Sequence, residues 1–480
     1  MMEHRVLGQL EPQAVYRFFE ELCRIPHESS NTRAASDWAE SFARERSLRY
    51  RRDDAGNVII WKDATPGYED HPTVMLQGHL DMVCVKDNGV EHDFEKDPLD
   101  LYIDDGFVKA RGTSLGGDDG IAVAMAMAIL DDDSNIPHPP LEAVFTVDEE
   151  IGMLGAGALD CFDLKSKYLL NIDSEVEGVL TVGCAGGTRC EITLPLHAEA
   201  AQGALVTLNL EHLSGGHSGT AIHMGFANAD KLMGECLAAL GCPRLVSLSG
   251  GQQDNAIPNQ CRAVILVDED KMEAVTAQAN DWFETARAQW TNDPNMTLTI
   301  TAEVGSAAAL SVAASKEALD LINALPNGVQ AMDPDLPGQV QTSLNLGILA
   351  LAESELKLVF LVRSSSLSQQ CSLTEQLLRI AISHGAFFST TSSYLPWEYR
   401  KDSALRDTMV AVYTQQYGKP PVVETVHAGL ECGLLMKKMP GLDAVSFGPD
   451  LIEIHSTRER MGIASTERTW KFLLGVLAAL

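Results

Sequence analysis

Three apolar stretches of this 480-residue chain run directly into acidic or imidazole side chains. TVMLQ leads into GHLD, bringing His79 and Asp81; EAVFTV leads into DEE, bringing Asp148, Glu149 and Glu150; YLLNI leads into Asp173. One Asp after a strand is usually a turn former or a helix cap. Several carboxylates gathered in one crevice are different, because they repel unless a cation neutralises them or some become protonated. Imidazole and carboxylate without thiolate suit zinc, with cobalt or manganese as substitutes. If the strand conformation continues, His79 and Asp81 share a face, so Asp81 can accept a hydrogen bond from the imidazole nitrogen not bound to metal. Glu149 and Glu150 are adjacent and point apart, which lets one bind metal while the other faces a water.

Such residues work together only if the strands carrying them end together. Apolar runs at 58–61, 74–76, 144–147 and 168–172 alternate with helical patterns such as 121–130, the signature of a mostly parallel, buried sheet. Ligands bind beyond the C-terminal ends of such strands. Helices are expected after Pro12 and around Trp38, and Asp104-Asp105-Gly106 marks a small hairpin. From about Gly187 the strands become amphipathic, with Val206, Leu208 and Leu210 alternating against Thr207, Asn209 and Glu211. The buried pattern returns after Trp397, with a helix over 405–417 and strands near 422–426 and 444–447. The expected architecture is an α/β catalytic domain, 1–186 and 398–480, with helices on both faces of a mostly parallel sheet. An α+β domain at 187–397 interrupts it.

The composition narrows the partners. With 36 Lys+Arg against 67 Asp+Glu, the net charge of −31 and the lack of a basic run make nucleic acid and anionic membrane poor partners. Ten cysteines without a C-x-x-C pair argue against a disulfide framework or a Cys-ligated zinc module. The N-terminal MMEHRVLGQLEPQ lacks a signal-peptide core, and the longest apolar run is too short to span a bilayer, so a cytoplasmic protein is expected.

Longer motifs carry a resemblance. They are GHLDM at 78–82, TSLGGDDGIA at 113–122, TVDEEIGMLGA at 146–156, NIDSE at 171–175, SGGHSG at 214–219, NAIPN at 255–259, HAGLECG at 427–433 and FGP-x5-H at 447–455. On these the chain resembles the M20 metallopeptidases and, within them, the aminoacyl-histidine (Xaa-His) dipeptidase branch. The resemblance implies that Asp118 bridges two zinc ions, with His79 and Asp173 completing one site and Glu150 and His455 the other. Many relatives have Lys soon after the bridging Asp, whereas this chain reads Asp118-Asp119-Gly120-Ile121; Asp118 is assigned because it follows Gly117. Glu149 is then the general base and Asp81 orients His79.

The resemblance also implies that the inserted domain is a lid forming a homodimer. His217 would reach the neighbouring subunit's metal centre as an oxyanion stabiliser. Asn255 and Arg363 are the expected substrate-binding residues, Arg363 as a clamp for a C-terminal carboxylate rather than an ordinary edge charge. The glycine-rich segment around His217 has neither a Walker ending nor a dinucleotide fingerprint, which argues against a phosphate role.

Two divalent ions about 3.5 to 4 Å apart can share one water, lower its pKa toward 7 and polarise the scissile carbonyl. A carboxylate base can take the water proton and pass it to the leaving amine. The expected activity is hydrolysis of unblocked dipeptides, including Xaa-His and β-alanyl-histidine. An N-acyl amino acid deacylase or a tripeptidase would use the same metal chemistry. A binding protein with an inert metal centre is the other class, and the intact Glu149 counts against it.

Overall fold

In the computed structural model, which describes residues 5–132, 136–352 and 355–480, the apolar runs ahead of the acidic motifs lie side by side in an eight-stranded sheet. Leu141–Thr146, Val74–His79, Tyr168–Asn171 and Asp443–Ser446 are neighbours in that order, all parallel. Every residue of Val74–His79 and Leu141–Thr146 is buried, so both faces of the sheet are covered. The flanks are antiparallel: Val58–Lys62 pairs with Leu141–Thr146 and with Arg49–Arg52, and Val179–Cys184 runs against Asp443–Ser446. The link between Arg49–Arg52 and Val58–Lys62 is short enough only for a hairpin, since a parallel crossover needs a dozen or more residues.

Helix Gly117–Asp131 is apolar on all sides and buried from Gly120 to Leu130, as a helix inside a core must be. It lies against helix Gln13–Leu22 and strand Val74–His79. The approach depends on Gly78: a Cβ there would lie 2.6 Å from that of Ala122 and 2.7 Å from Asp119 Oδ2. The hairpin at Asp104 is formed by Leu101–Asp104 and Phe107–Ala110, and it does more than turn the chain. Phe107–Ala110 pairs with Arg460–Gly462, which pairs with Leu451–Ile452, so the hairpin anchors the connection that carries His455.

Two compact units result. The first holds the chain up to Gly183 with Tyr399–Thr425 and Leu430–Leu480; the second holds Cys184–Glu398 and Val426–Gly429. The second unit is built on a nine-stranded sheet in which each described pairing is antiparallel. Val206, Leu208 and Leu210 are buried while Thr207, Asn209 and Glu211 are half-buried, the alternation of a sheet with one wet face. Helices Ala229–Ala239, Met272–Gln289, Val312–Ala324 and Leu367–Ser383 add their apolar residues to this core. One strand runs the whole length of Thr297–Leu310, because Ala198–Glu211 pairs with it residue for residue. Its last part, GSAAAL, has no alternating pattern; pairing rather than propensity makes it a strand.

Candidate active site

The parallel register brings the strand ends together: Gln77 lies beside Asn171 and His79 beside Thr146. His79 closes one strand, Asp81 follows it, Glu149 and Glu150 follow the second, and Asp173 follows the third. Asp118 stands at the entry to helix Gly117–Asp131 with extended backbone angles, φ −83° and ψ 106°, before a cis peptide bond to Asp119. His455 adopts φ 56° in the connection between Leu451–Ile452 and Arg460–Gly462.

Asp118 faces two imidazoles with its two oxygens. Oδ1 is 3.3 Å from His79 Nε2, and Oδ2 is 3.2 Å from His455 Nε2. His79 Nε2 is also 3.8 Å from Asp173 Oδ1, and His455 Nε2 is 3.0 Å from Glu150 Oε1. Two donor sets therefore share Asp118: His79, Asp118 and Asp173, and Asp118, Glu150 and His455; Glu149 and Glu150 also converge on His79. Donors about 2.0 to 2.1 Å from a tetrahedral zinc ion stand about 3.3 Å from one another, so these spacings fit such an ion.

The charge balance makes the same point. Burial pushes Glu149 up to about 8, helped by Glu431, Glu150 and Asp118 against the opposing pull of His79. Burial and the neighbouring Asp119 raise Asp173 well above the carboxylate range. Asp118 resists burial, because His455 and His79 hold it well below that range. His455 is carried up to about 10 by Asp118 and Glu150 despite its burial cost. Carboxylates gathered this closely draw positive charge to the site, which is what a divalent cation would supply.

Asp81 faces His79 Nδ1 with both its main-chain carbonyl and its carboxylate. His79 Nδ1 lies 2.9 Å from the main-chain carbonyl of Asp81 and 3.5 Å from its carboxylate. A carbonyl only accepts, so Nδ1 carries the proton and Nε2 is left with its lone pair for a metal. The Asp81 carboxylate also accepts from the N–H groups of Glu149 and Glu150, at 3.0 and 3.3 Å, and from Ser29 Oγ at 2.8 Å. It fixes the loop presenting both glutamates. The adjacent acids Asp118 and Asp119 are also separated in role: Asp119 is fully buried and accepts the His79 main-chain N–H at 3.3 Å.

The second unit holds a cluster of opposite character. Arg363, in strand Glu355–Ser364, is buried and donates to Tyr394 Oη at 2.9 Å; another guanidinium nitrogen lies 3.4 Å from His217 Nε2. Its Nε has no partner among the described residues. The N–H groups of Gly219 and Thr220 point at His217 Nδ1, at 3.3 and 3.2 Å, so Nδ1 accepts and Nε2 bears the hydrogen. Burial and then Arg363 hold His217 down to about 4, which keeps it neutral. Two donors thus face one another, an arrangement that favours an acceptor between them. His427 lies nearby, its Nε2 2.8 Å from Ser343 Oγ, pushed down to about 3 by burial and by Arg363. Asn255 is exposed and contributes its carbonyl, which accepts the Ser218 N–H at 2.7 Å; the strand pair Gly216–His217 and Ala256–Ile257 joins these two loops.

The model for peptidase family M20/M25/M40 matches residues 75–479. The chain belongs to this peptidase family. It is 37% identical over 480 residues to the cytosol non-specific dipeptidase of Escherichia coli (strain K12), covering 98% of each chain. Its structure is similar to the aminoacylhistidine dipeptidase from Vibrio alginolyticus, with a TM-score of 0.92, 35% identity and coverage of 99% and 98%. A tripeptidase from Staphylococcus aureus shares the fold at a TM-score of 0.56 and 16% identity, covering 98% of this chain and 99% of its own.

Within this M20 chain, sequence reading passed over Ser29, Tyr394, Ser343, His427 and Glu459. His427 opens the HAGLECG motif, and Glu459 follows His455 by four residues. Those signals were present but unspecific. Ser29, Ser343 and Tyr394 are placed by the fold alone. Among the described residues, no helix is long and apolar enough to cross a membrane.

Proposed function

We propose that this chain is a cytosolic dipeptidase working with two zinc ions on unblocked dipeptides, including Xaa-His dipeptides and β-alanyl-histidine. The observation that carries the reading is Asp118, whose two oxygens face His79 and His455 and so join the two donor sets. The relatives similar over nearly the full chain, named as dipeptidases, support the substrate class.

In this reading His79, Asp118 and Asp173 hold one ion, and Asp118, Glu150 and His455 hold the other, with cobalt or manganese able to replace zinc. When bound, the ions supply positive charge that polarises the scissile carbonyl and lowers the pKa of the attacking water. Glu149, half-buried and raised to about 8, receives the water proton on a carboxylate oxygen and returns it to the leaving nitrogen. Asp81 keeps Glu149 and Glu150 in register through their main-chain N–H groups. The Nε2–H of His217 donates to the carbonyl oxygen as negative charge develops there. Arg363, with Tyr394 fixing one arm of its guanidinium, binds the free C-terminal carboxylate, and Asn255 contributes beside it.

The second unit acts as lid and dimerisation domain in this scheme, and His217 serves the neighbouring subunit. A panel of free dipeptides, tripeptides and N-acetyl amino acids, assayed before and after chelation, tests the whole reading. Dipeptides should be cleaved best, chelation should abolish cleavage, and zinc, cobalt or manganese should restore it. Full activity in demonstrably metal-free protein would sink the mechanism. Preference for tripeptides or N-acetyl amino acids would reassign the substrate.

A further inference from the structure

Glu459 lies outside both donor sets, yet its carboxylate is among the most heavily bonded in the first unit. It is 4% exposed. Oε2 accepts the N–H groups of Leu115 and Gly116 at 2.6 and 3.1 Å, and Oε1 those of Gly117 and Asp118 at 2.8 and 3.4 Å. Four successive main-chain donors wrap one side chain, and the last belongs to the residue shared by the donor sets.

The loop is shaped for this. Gly116 takes φ 68°, a left-handed conformation that turns successive N–H groups toward one point. At Gly117 a Cβ would lie 3.0 Å from Leu451 Cδ2 and 3.3 Å from Glu459 Oε1, so a side chain would press the loop off the carboxylate. Helix Gly117–Asp131 begins here, and its first N–H groups have no partner within the helix. Glu459 also ends the turn that starts at Ser456, the residue after His455, since its N–H donates to the Ser456 carbonyl at 3.2 Å. One carboxylate therefore ties the segment bearing His455 to the loop bearing Asp118.

We propose that Glu459 is a positioning residue that sets the spacing between Asp118 and His455 and thereby governs retention of the ion held by Asp118, Glu150 and His455. The proposal rests on the two-ion reading above. The other donor set depends on it less. His79 is held independently by the Asp81 carbonyl and by Asp119, and Asp173 follows its own sheet strand. Disturbing Glu459 should loosen one ion selectively.

The test is calorimetric titration of zinc into metal-free protein for the unmodified chain, Glu459→Gln, Glu459→Asp and Gly117→Ala, with thermal unfolding of each metal-free form. The unmodified chain should take two ions. Glu459→Gln, which turns an amide NH2 toward main-chain donors, should keep one ion near its original affinity and bind the other about 10- to 100-fold more weakly. Excess zinc should restore its kcat with KM unchanged. Gly117→Ala should show the same selective loss with the carboxylate intact, and Glu459→Asp should recover part of it.

If Glu459→Gln binds both ions as tightly as the unmodified chain, the proposal is overturned. It is also overturned if both ions weaken equally alongside a lower unfolding temperature, the behaviour of a merely structural residue. Should Glu459→Gln fail to fold, Gly117→Ala decides by the same two criteria. An unmodified chain that binds fewer than two ions defeats the two-ion reading and this proposal with it. That outcome is distinct from two ions bound unchanged in the variant.

Discussion

In the first unit, Asp118, Asp173, Glu149 and Glu150 gather around two imidazoles; in the second, Arg363 gathers with two imidazoles and donates to the neutral hydroxyl of Tyr394. The same side chain answers differently in the two places. His455, among carboxylates, is carried up to about 10, whereas His217, half-buried beside a guanidinium, falls to about 4. A histidine's chemistry is thus set by the sign of what surrounds it rather than by the residue itself. One cluster is suited to cations, and the other to the negative end of a substrate and the charge that develops during its hydrolysis.

The largest effect should come from the acidic cluster. Glu149→Gln removes the proton acceptor but not the proposed ligands, so kcat should fall about 10²-fold or more with metal content unchanged. An unimpaired variant, checked for metal by elemental analysis, would move the base elsewhere. His217→Ala, in the cationic cluster, should lower kcat about 10²- to 10³-fold with metal content again unchanged. Mixing His217→Ala chains with Glu149→Ala chains under subunit exchange then asks where His217 acts. If it serves the neighbouring subunit, each mixed dimer contains one intact site and activity reappears. No recovery, with exchange confirmed, defeats the assignment across subunits.

Amidating the C-terminus of a dipeptide should reduce kcat/KM by about 10- to 100-fold, the worth of charge-assisted hydrogen bonds to a buried cation. Equal rates on free and amidated substrates would remove Arg363 from its role as clamp. The smallest effect is on stability. His427 is pushed from 6.5 down to about 3 by burial, with Arg363, His217 and His223 adding to the shift. Its stabilising contribution is present above pH 6.5, and it is lost as pH falls toward 3, because the unfolded chain accepts a proton that the folded one refuses. His427→Gln should therefore flatten the acid limb of denaturant-measured stability slightly; identical limbs would place the titration elsewhere.

How far the site was legible differs between its parts. His79, Glu149, Glu150 and Asp173 could be read from local pattern, because each follows an apolar run and the strands are parallel neighbours. Asp118 and His455 could not. Each sits in an irregular connection, and only resemblance singled them out before the structure brought them within 3.2 Å of each other. The one-residue spacing put Asp81 beside His79, but it does not say that the main-chain carbonyl approaches the imidazole more closely than the carboxylate does. Arg363 was visible as a charge at the end of an apolar strand, but Tyr394 comes from a neighbouring part of the sheet that no local pattern reaches. The long pairing of Thr297–Leu310 was only half legible, since its alanine-rich end is ordered by its partner strand.

The hairpin that anchors the His455 connection also imposes an order of assembly during synthesis. His79, Asp118 and Asp173 all leave the ribosome well before His455, on or beside strands that pair among themselves. Asp118 and His455 are 337 residues apart, and Arg460–Gly462 must emerge before it can pair with Phe107–Ala110. A nascent chain can therefore assemble one donor set early, while the other waits until the segment from His455 to Gly462 has been made.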